Sequence, residues 1–186
     1  MLTEKKIIGK LEQIERRYTD LRFEKIADVP VEYCETREHF RADPTGPRLK
    51  WRPAPAGTKW GGNWITAWFR GDARLPKSCN GKRIFVRAKT GGETLFIVDG
   101  QHRGVFDGWH PVVMMTGRGA AGRSYHLAFE AYAGHTFPGA MPQDTPPPVT
   151  PKCRTFDGIE LLLEREDVSA FVFDLKVLRS LMKSLD

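Results

Sequence analysis

Hydrophobic residues at the start of the chain recur with the period of an α-helix. Their spacing alternates between four and three residues, which places them in one apolar stripe along a helix. The stripe consists of Ile7, Leu11, Ile14, Tyr18 and Leu21. Thr3 can cap this helix at its N-terminus. We predict an amphipathic helical segment over residues 1–26 that lies on a larger structure.

After this segment the pattern becomes irregular and then changes to short strands. Five prolines interrupt residues 27–63, so no long element is expected there. From Trp64 onward, short apolar runs alternate with turn residues. We interpret the runs GIELLLERE and SAFVFDL as the closing strands, and residues 176–186 as the start of a linker helix. The pattern therefore predicts a β-sandwich domain over residues 27–175.

Two of the runs alternate in the way expected of a strand with one buried face. The shared faces hold Ile84, Val86 and Ala88 in one run, and Tyr125, Leu127, Phe129 and Ala131 in the other. Asp99-Gly100 is a strong signal for a two-residue hairpin, because both central positions of a type I′ turn need positive φ. Several short strands with almost no helix between them predict a mainly β fold, an antiparallel sandwich of the jelly roll kind, with an N-terminal helix and a short C-terminal helix.

Three tryptophans recur at every fourth position in WGGNWITAW, namely Trp60, Trp64 and Trp68. They could form an aromatic platform for a ligand, one face of a helix, or the core face of a strand. In a strand, an even spacing points all three the same way, and Ile65, Ala67 and Phe69 occupy the other face. A strand that is apolar on both faces is buried on both sides. We expect Trp64 and Trp68 to be core residues, and Trp60, beside two glycines, to reach the surface.

Composition describes one soluble globular domain. The 186 residues are 40% hydrophobic and 28% charged, and no apolar run approaches the length of a membrane span. The charged, amphipathic N-terminus lacks the apolar core of a signal peptide, so a cytoplasmic location without membrane contact is expected. Cys34, Cys79 and Cys153 lie far apart, which favours buried or incidental thiols over a zinc knuckle or a disulfide framework.

The net charge of +6 permits an anionic partner. Its basic residues are scattered, however, whereas a nucleic-acid binder usually clusters them on one face. A nucleic-acid partner is therefore not expected, and a solvated basic surface is the simpler interpretation.

Candidate chemistry is confined to two loops. In FDGWHP, an aromatic ring stands beside a carboxylate and an imidazole, which suits a sugar whose apolar face stacks on the ring. A simple Asp-Gly turn with a half-buried tryptophan is the alternative. In AYAGHTFPG, a histidine ends a strand and could contact a ligand, although a bond to loop backbone is commoner. The candidate ligand-binding residues are Trp60, Asp107, Trp109, His110 and His135; none is a candidate catalytic residue or metal ligand.

Four longer segments together resemble a known family. WGGNWITAWFRG, LPKSCNGKRIFVRAKTGGETLFIVDGQHRGVFDGWHPVV, YHLAFEAYAGHTFPG and GIELLLEREDVSAFVFDL are similar to the N-terminal region of glycoside hydrolase family 38 α-mannosidases of the bacterial and cytosolic type. The similarity runs over residues 60–186, and the N-terminal helix also fits. The resemblance implies a galactose-binding-like β-sandwich that precedes a catalytic domain.

The catalytic residues of that family lie beyond the resemblance. Its members hydrolyse α-mannosides with retention, using zinc and an aspartate nucleophile, and the zinc ligands begin with a His-x-Asp motif after the sandwich. The sequence contains no such motif. The resemblance therefore implies no cofactor in this chain, zinc in a separate catalytic domain, and that domain as partner, within the same polypeptide or as a split product.

Two other classes of function remain open. One is a free-standing carbohydrate-binding module, with α-mannoside glycans as possible ligands. The other is a protein-interaction or nucleic-acid-binding module. If a catalytic domain is the partner, the apolar stripe of the N-terminal helix and the apolar residues of the C-terminal helix would be buried on it. We then expect the isolated chain to self-associate.

Overall fold

A computed structural model describes residues 4–44, 49–134 and 153–184. Helix α1 spans Glu4–Thr19 and a short 3₁₀ turn covers Asp20–Arg22. Helix α2 spans Glu166–Ser184. Between the helices lie β1 Phe23–Asp28, β2 Glu32–Thr36, β3 Arg52–Pro53, β4 Thr58–Gly61, β5 Thr66–Arg74, β6 Ile84–Ala88, β7 Glu93–Val98, β8 Gln101–Phe106, β9 Val112–Thr116, β10 Ser124–Tyr132, β11 Cys153–Phe156 and β12 Ile159–Glu164.

The strands form two facing antiparallel sheets and one small strand pair. One sheet has the order β1-β12-β6-β9 and the other β3-β2-β5-β10-β7-β8, while β11 pairs with β4. Phe69 and Phe129 from the larger sheet and Val86 and Leu161 from the smaller one belong to the same buried core. The predicted mainly β antiparallel sandwich, flanked by an N-terminal and a C-terminal helix, is confirmed.

Strand β5 is buried on both faces at its start, as its sequence predicts. Phe69 is fully buried in the main core, where its ring stacks on Phe156 with centroids 4.8 Å apart. Trp68 is also fully buried, in a second cluster on the opposite face of the larger sheet. The side chains that pack over this second cluster are Phe40, Leu49, Trp51 and Leu95.

The segment that follows β2 is also tied to the larger sheet by a histidine. His126 lies between two carboxylates, with Nε2 2.8 Å from Asp43 and Nδ1 3.0 Å from Asp72. Burial lowers the pKa of His126, but the bonds to the two carboxylates outweigh it and hold the pKa above its ordinary value. The contact between His126 and Asp43 therefore joins the segment that follows β2 to strand β10.

The hairpin predicted at Asp99-Gly100 is confirmed. These two residues connect β7 to β8, and they have φ values of 49° and 76°. Glycine adopts a positive φ at no steric cost, and aspartate tolerates one.

Two regions differ from the sequence-based expectations. Residues 27–63, expected to be irregular, contain the end of β1 and all of β2, β3 and β4. Residues 169–175, interpreted as a strand, lie inside α2. Val168 and Val172 are four residues apart and are the buried residues of this helix. Burial on one face at helical spacing therefore outweighs the β propensity of SAFVF.

The two helices pack against each other in an antiparallel pair, which we call the helical arm (residues 4–22 and 166–184). Tyr18 near the end of α1 meets Phe171 near the start of α2, with ring centroids 5.1 Å apart. Arg179 lies 3.1 Å from Glu15, and Lys183 lies 3.2 Å from Glu12. Neither helix is long and apolar enough to cross a lipid bilayer, and no other helix in the described ranges is.

Candidate functional site

An open cleft lies at one end of the sandwich, where the β6–β7 turn, the loop after β8 and strand β11 meet. Its volume is about 400 Å³. Its lining includes Thr90, Gly92, Glu93, Asp107, Gly108 and Arg154. Three of the side chains carry charge, so the cleft is polar.

Trp60 forms part of the support of this cleft and is not a surface residue. It is 3% exposed, and its Nε1 donates a 2.7 Å hydrogen bond to the carbonyl oxygen of Thr90. The expectation that Trp60 reaches the surface is therefore wrong. Trp64, expected in the core, is 59% exposed. The cause is a turn between β4 and β5, in which Trp64 has a φ of 67°.

The β6–β7 turn is held in shape by buried hydroxyl groups. The hydroxyl oxygens of Thr90 and Thr94 are 2.6 Å apart, so one hydroxyl donates to the other. Both oxygens also lie within hydrogen-bond distance of the carbonyl oxygen of Gly92, at 3.1 and 2.9 Å, and the hydroxyl whose proton remains donates to it. A Cβ on Gly92 would overlap the carbonyl oxygen of Tyr132, so only glycine allows this close approach. The wall of the cleft is thus a fixed backbone surface.

The loop after β8 is organised by the carboxylate of Asp107. Its Oδ1 accepts hydrogen bonds from the backbone N–H groups of Trp109 at 2.7 Å and His110 at 2.6 Å. The Nδ1 atom of His110 lies 3.0 Å from each carboxylate oxygen. Bonds from the His110 side chain, then from the two backbone N–H groups, hold the pKa of Asp107 below its ordinary value. With Nδ1 as the donor, neutral His110 keeps Nε2 as an acceptor.

Trp109 lies beside the cleft, directly after the lining residue Gly108. Its side chain is 91% exposed, the highest value among the exposed large hydrophobic residues of the described ranges. Its backbone is fixed by the bond to Asp107. The alternative interpretation of a half-buried tryptophan in a simple turn does not describe this residue, although the Asp107 turn itself is present.

Arg154 was not identified by the sequence, and it supplies the positive charge of the cleft. It lies in β11 opposite Trp60 of β4, and its Nε donates a 3.0 Å hydrogen bond to the carbonyl oxygen of Ala133. This contact joins segments that are far apart in sequence, so no local pattern could indicate it.

Of the residues predicted from the sequence, Asp107 lines the cleft and Trp60 supports its wall through Thr90. Trp109 and His110 follow in the loop of Asp107 without lining the cleft, and their side chains are exposed. His135 lies outside the described residues. Within those residues, no group of three or more His, Cys, Asp or Glu side chains is placed to hold a metal ion.

Comparison with known families now assigns the fold. A family model described as the Ams1-like α-mannosidase jelly roll domain matches residues 25–152, which is more than half of the chain. The chain belongs to this α-mannosidase jelly roll family. None of the curated proteins is significantly similar to it in sequence.

Solved structures show the same fold in glycosidases. β-Glucuronidase from Ruminococcus gnavus in complex with D-glucuronic acid superposes with a TM-score of 0.52 and 11% identity, over 76% of this chain and 29% of that chain. The same enzyme with D-glucaro-δ-lactam gives a TM-score of 0.53, with 11% identity and the same coverage of 76% and 29%. The chain thus spans less than a third of the glucuronidases it matches, and at this identity the likeness establishes the fold alone.

Proposed function

We propose that this chain is the non-catalytic N-terminal β-sandwich domain of a zinc-dependent, retaining α-mannosidase of glycoside hydrolase family 38. Membership of the α-mannosidase jelly roll family supports the assignment. The domain would be structural or would help to orient substrate. The zinc ion and the aspartate nucleophile would lie in a separate catalytic domain, and the isolated chain would have no mannosidase activity.

The observation that carries the proposal is the apolar surface of the helical arm. Large hydrophobic side chains are exposed along both helices, and on α2 several of them follow helical spacing. They are Ile14, Tyr18 and Leu21 on the first helix and its turn, and Phe171, Phe173, Val177, Leu178 and Leu181 on the second. A contiguous apolar surface of this kind is typical of a protein interface.

Ion pairs make the helical arm a suitable docking element. Arg179 pairs with Glu15 and Lys183 pairs with Glu12, so α1 and α2 are linked along their length. Val168 and Val172 anchor the first two turns of α2 in a buried position. We propose that the exposed apolar side of this arm packs on the catalytic domain.

The proposal includes a cytoplasmic location. Support comes from the three cysteines, which form no disulfide; Cys34 and Cys79 are buried and Cys153 is exposed. Proteins of oxidising compartments commonly pair such residues. Subcellular fractionation of the native protein tests this point, and recovery from a secretory compartment would contradict it.

A free-standing carbohydrate-binding module is the second candidate. The exposure of Trp109 beside the cleft favours it, since aromatic rings on a fixed loop are suited to stacking on sugars. The helical arm favours the domain assignment instead, because sugar binding gives no role to its apolar surface.

Immunoprecipitation of the native protein from its own cells tests the proposal. An antibody against this domain should recover activity on an aryl α-mannoside, which a zinc chelator removes and added zinc restores. The purified 186-residue chain with zinc is the control and should be inactive. An inactive immunoprecipitate, or turnover by the purified chain alone, would contradict the proposal.

A further inference from the structure

We propose that a groove on the outer face of the larger sheet, the face that carries Trp68, binds a small aliphatic diamine. We call it the outer groove. Its volume is about 340 Å³, and its lining includes Thr66, Glu93, Leu95, Val105, Glu130 and Tyr132. It is distinct from the cleft, and Glu93 lines both. The inference goes beyond the proposed function and does not depend on a mannosidase domain.

Strand register places the floor of the outer groove on one face of the sheet. Glu130 in β10 is directly opposite Trp68 in β5 and Leu95 in β7. Leu95 is in turn opposite Val105 in β8. Residues that are directly opposite point to the same side of a sheet. Leu95 and Val105, which is 49% exposed, therefore form an apolar surface beside the Glu130 carboxylate.

The outer groove begins where the cover over Trp68 ends. Phe40 packs over the buried Trp68 cluster, and the residue before it, His39, lines the groove. Leu95 packs against that cluster and lines the groove as well. The apolar face of the sheet thus continues past its cover into open space, where a ligand can contact it.

Two carboxylates of the outer groove have no ionic partner within the described ranges. Glu93 and Glu130 form no hydrogen bond or ion pair with any residue there. On the same face of the sheet, by contrast, Glu32 is paired with Arg70 at 2.6 Å. The groove therefore presents negative charge that the described residues leave uncompensated.

The two carboxylates are placed so that one ligand can bind both. Glu130 is opposite Leu95, and Tyr132 is opposite Glu93, so Glu130 and Glu93 are diagonal neighbours across β10 and β7. Diagonal neighbours in a sheet lie about 7–8 Å apart. Both side chains point to the outer face, with the apolar surface of Leu95 beside them.

The environment of Glu130 favours a bound cation. Burial raises the pKa of Glu130, and attraction to His39 and His102 offsets only part of that effect. Removing a carboxylate from water without a partner is unfavourable. An ammonium group in the groove would supply that partner and stabilise the charged carboxylate.

The lining selects an organic dication. No group of three or more His, Cys, Asp or Glu side chains in the described ranges is placed to hold a metal ion. A diamine can offer one ammonium group to each carboxylate and lay its hydrocarbon chain on Leu95 and Val105. The net charge of +6 repels cations in general, so binding must come from these local carboxylates.

Titration of the ¹⁵N-labelled chain with 1,4-diaminobutane at pH 7 and low ionic strength, followed by NMR, tests the inference. We expect shifts of the backbone amides of Leu95, Val105 and Glu130, with a Kd of about 1 mM. Butylamine, with one ammonium group, should bind several-fold more weakly. The uncharged 1,4-butanediol should cause no shifts. Absence of shifts at these residues, shifts confined to Gly108 and Arg154 in the cleft, or equal shifts with the diol would overturn the inference.

Three variants sharpen the test. Glu93→Gln and Glu130→Gln should each weaken binding several-fold, because each removes one carboxylate and keeps the size of the side chain. Glu32→Gln is the matched control, since its carboxylate lies on the same face but is paired with Arg70, and binding should be unchanged. Equal weakening in the control would show attraction to overall charge and contradict a site in the groove. Unchanged binding in either groove variant would contradict the diamine.

Discussion

The Nε1 atom of Trp60 in β4 lies 2.7 Å from the carbonyl oxygen of Thr90, in the turn that joins the two main sheets. Both residues are buried, at 3% and 1% exposure. The bond therefore ties the small β4–β11 pair to the crossover between the sheets. It also supports the wall of the cleft from below.

Replacing Trp60 with phenylalanine should lower the free energy of unfolding by about 1–3 kcal/mol, because the carbonyl oxygen of Thr90 loses this donor in a buried position. Urea unfolding measures the change. Trp64→Phe is the control, and it should lie within about 0.5 kcal/mol of the wild type, since Trp64 is 59% exposed. Equal losses in both variants would contradict the burial assigned to Trp60.

Gly71 in β5 allows the backbone of the preceding β1–β2 connection to approach closely. A Cβ at this position would overlap the carbonyl oxygen of Pro30, which is backbone and cannot rotate away. Gly71→Ala should therefore destabilise the protein by about 1–3 kcal/mol in thermal or urea unfolding. Gly117→Ala, where a Cβ would meet nothing within 4 Å, should be nearly neutral. If Gly71→Ala left the stability unchanged, β5 and the β1–β2 connection would lie further apart than this close approach implies.

His126 should make stability depend on pH. Its folded pKa is raised by Asp43 and Asp72 despite burial, so its charged form is favoured by folding. The contribution is complete below the unfolded pKa of about 6.5 and is lost as the pH rises through the folded pKa. Unfolding free energy should thus decrease from pH 6 to pH 8.

The control for this prediction is His126→Gln, which removes the titrating group. The decrease between pH 6 and pH 8 should become smaller in this variant. One further carboxylate lies beside His126: Asp99 accepts a 2.9 Å hydrogen bond from the backbone N–H of His126. Asp99 also forms an ion pair with Arg123. An identical pH profile in wild type and variant would show that His126 is not the source.

The helical arm should make the isolated chain self-associate. Light scattering at rising concentration should show an increase in mean mass, because the exposed apolar side chains of α2 have no cover in the described structure. Exchange of Phe173 and Val177 for serine should reduce this association. Val105→Ser, a similar change at a 49% exposed residue of β8, should not. A monodisperse monomer at high concentration would contradict the assignment of this surface.

Local patterns in the sequence were enough to predict most of the sandwich. The alternation in β6 and β10, the two apolar faces of β5 and the Asp99-Gly100 turn each depend on neighbouring residues only. The loop of Asp107 and Trp109 was found in the same way, since its residues are contiguous.

Predictions that required a continuous element or a distant contact were wrong or absent. Trp64 was placed in the core by assuming one unbroken strand, whereas Gly61, Gly62 and Trp64 all have positive φ and form a turn there. Trp60 was placed at the surface because it adjoins two glycines, whereas its ring is buried and bonds to Thr90. Arg154 enters the cleft through the pairing of β11 with β4, which tertiary structure alone determines.

The size of the native protein in its own cells tests the central claim most directly. An immunoblot with an antibody against this domain measures it. The domain assignment predicts a band several times larger than 21.1 kDa, the mass of the 186-residue chain. A band at 21.1 kDa would contradict it, because the domain would then stand alone without an attached catalytic domain.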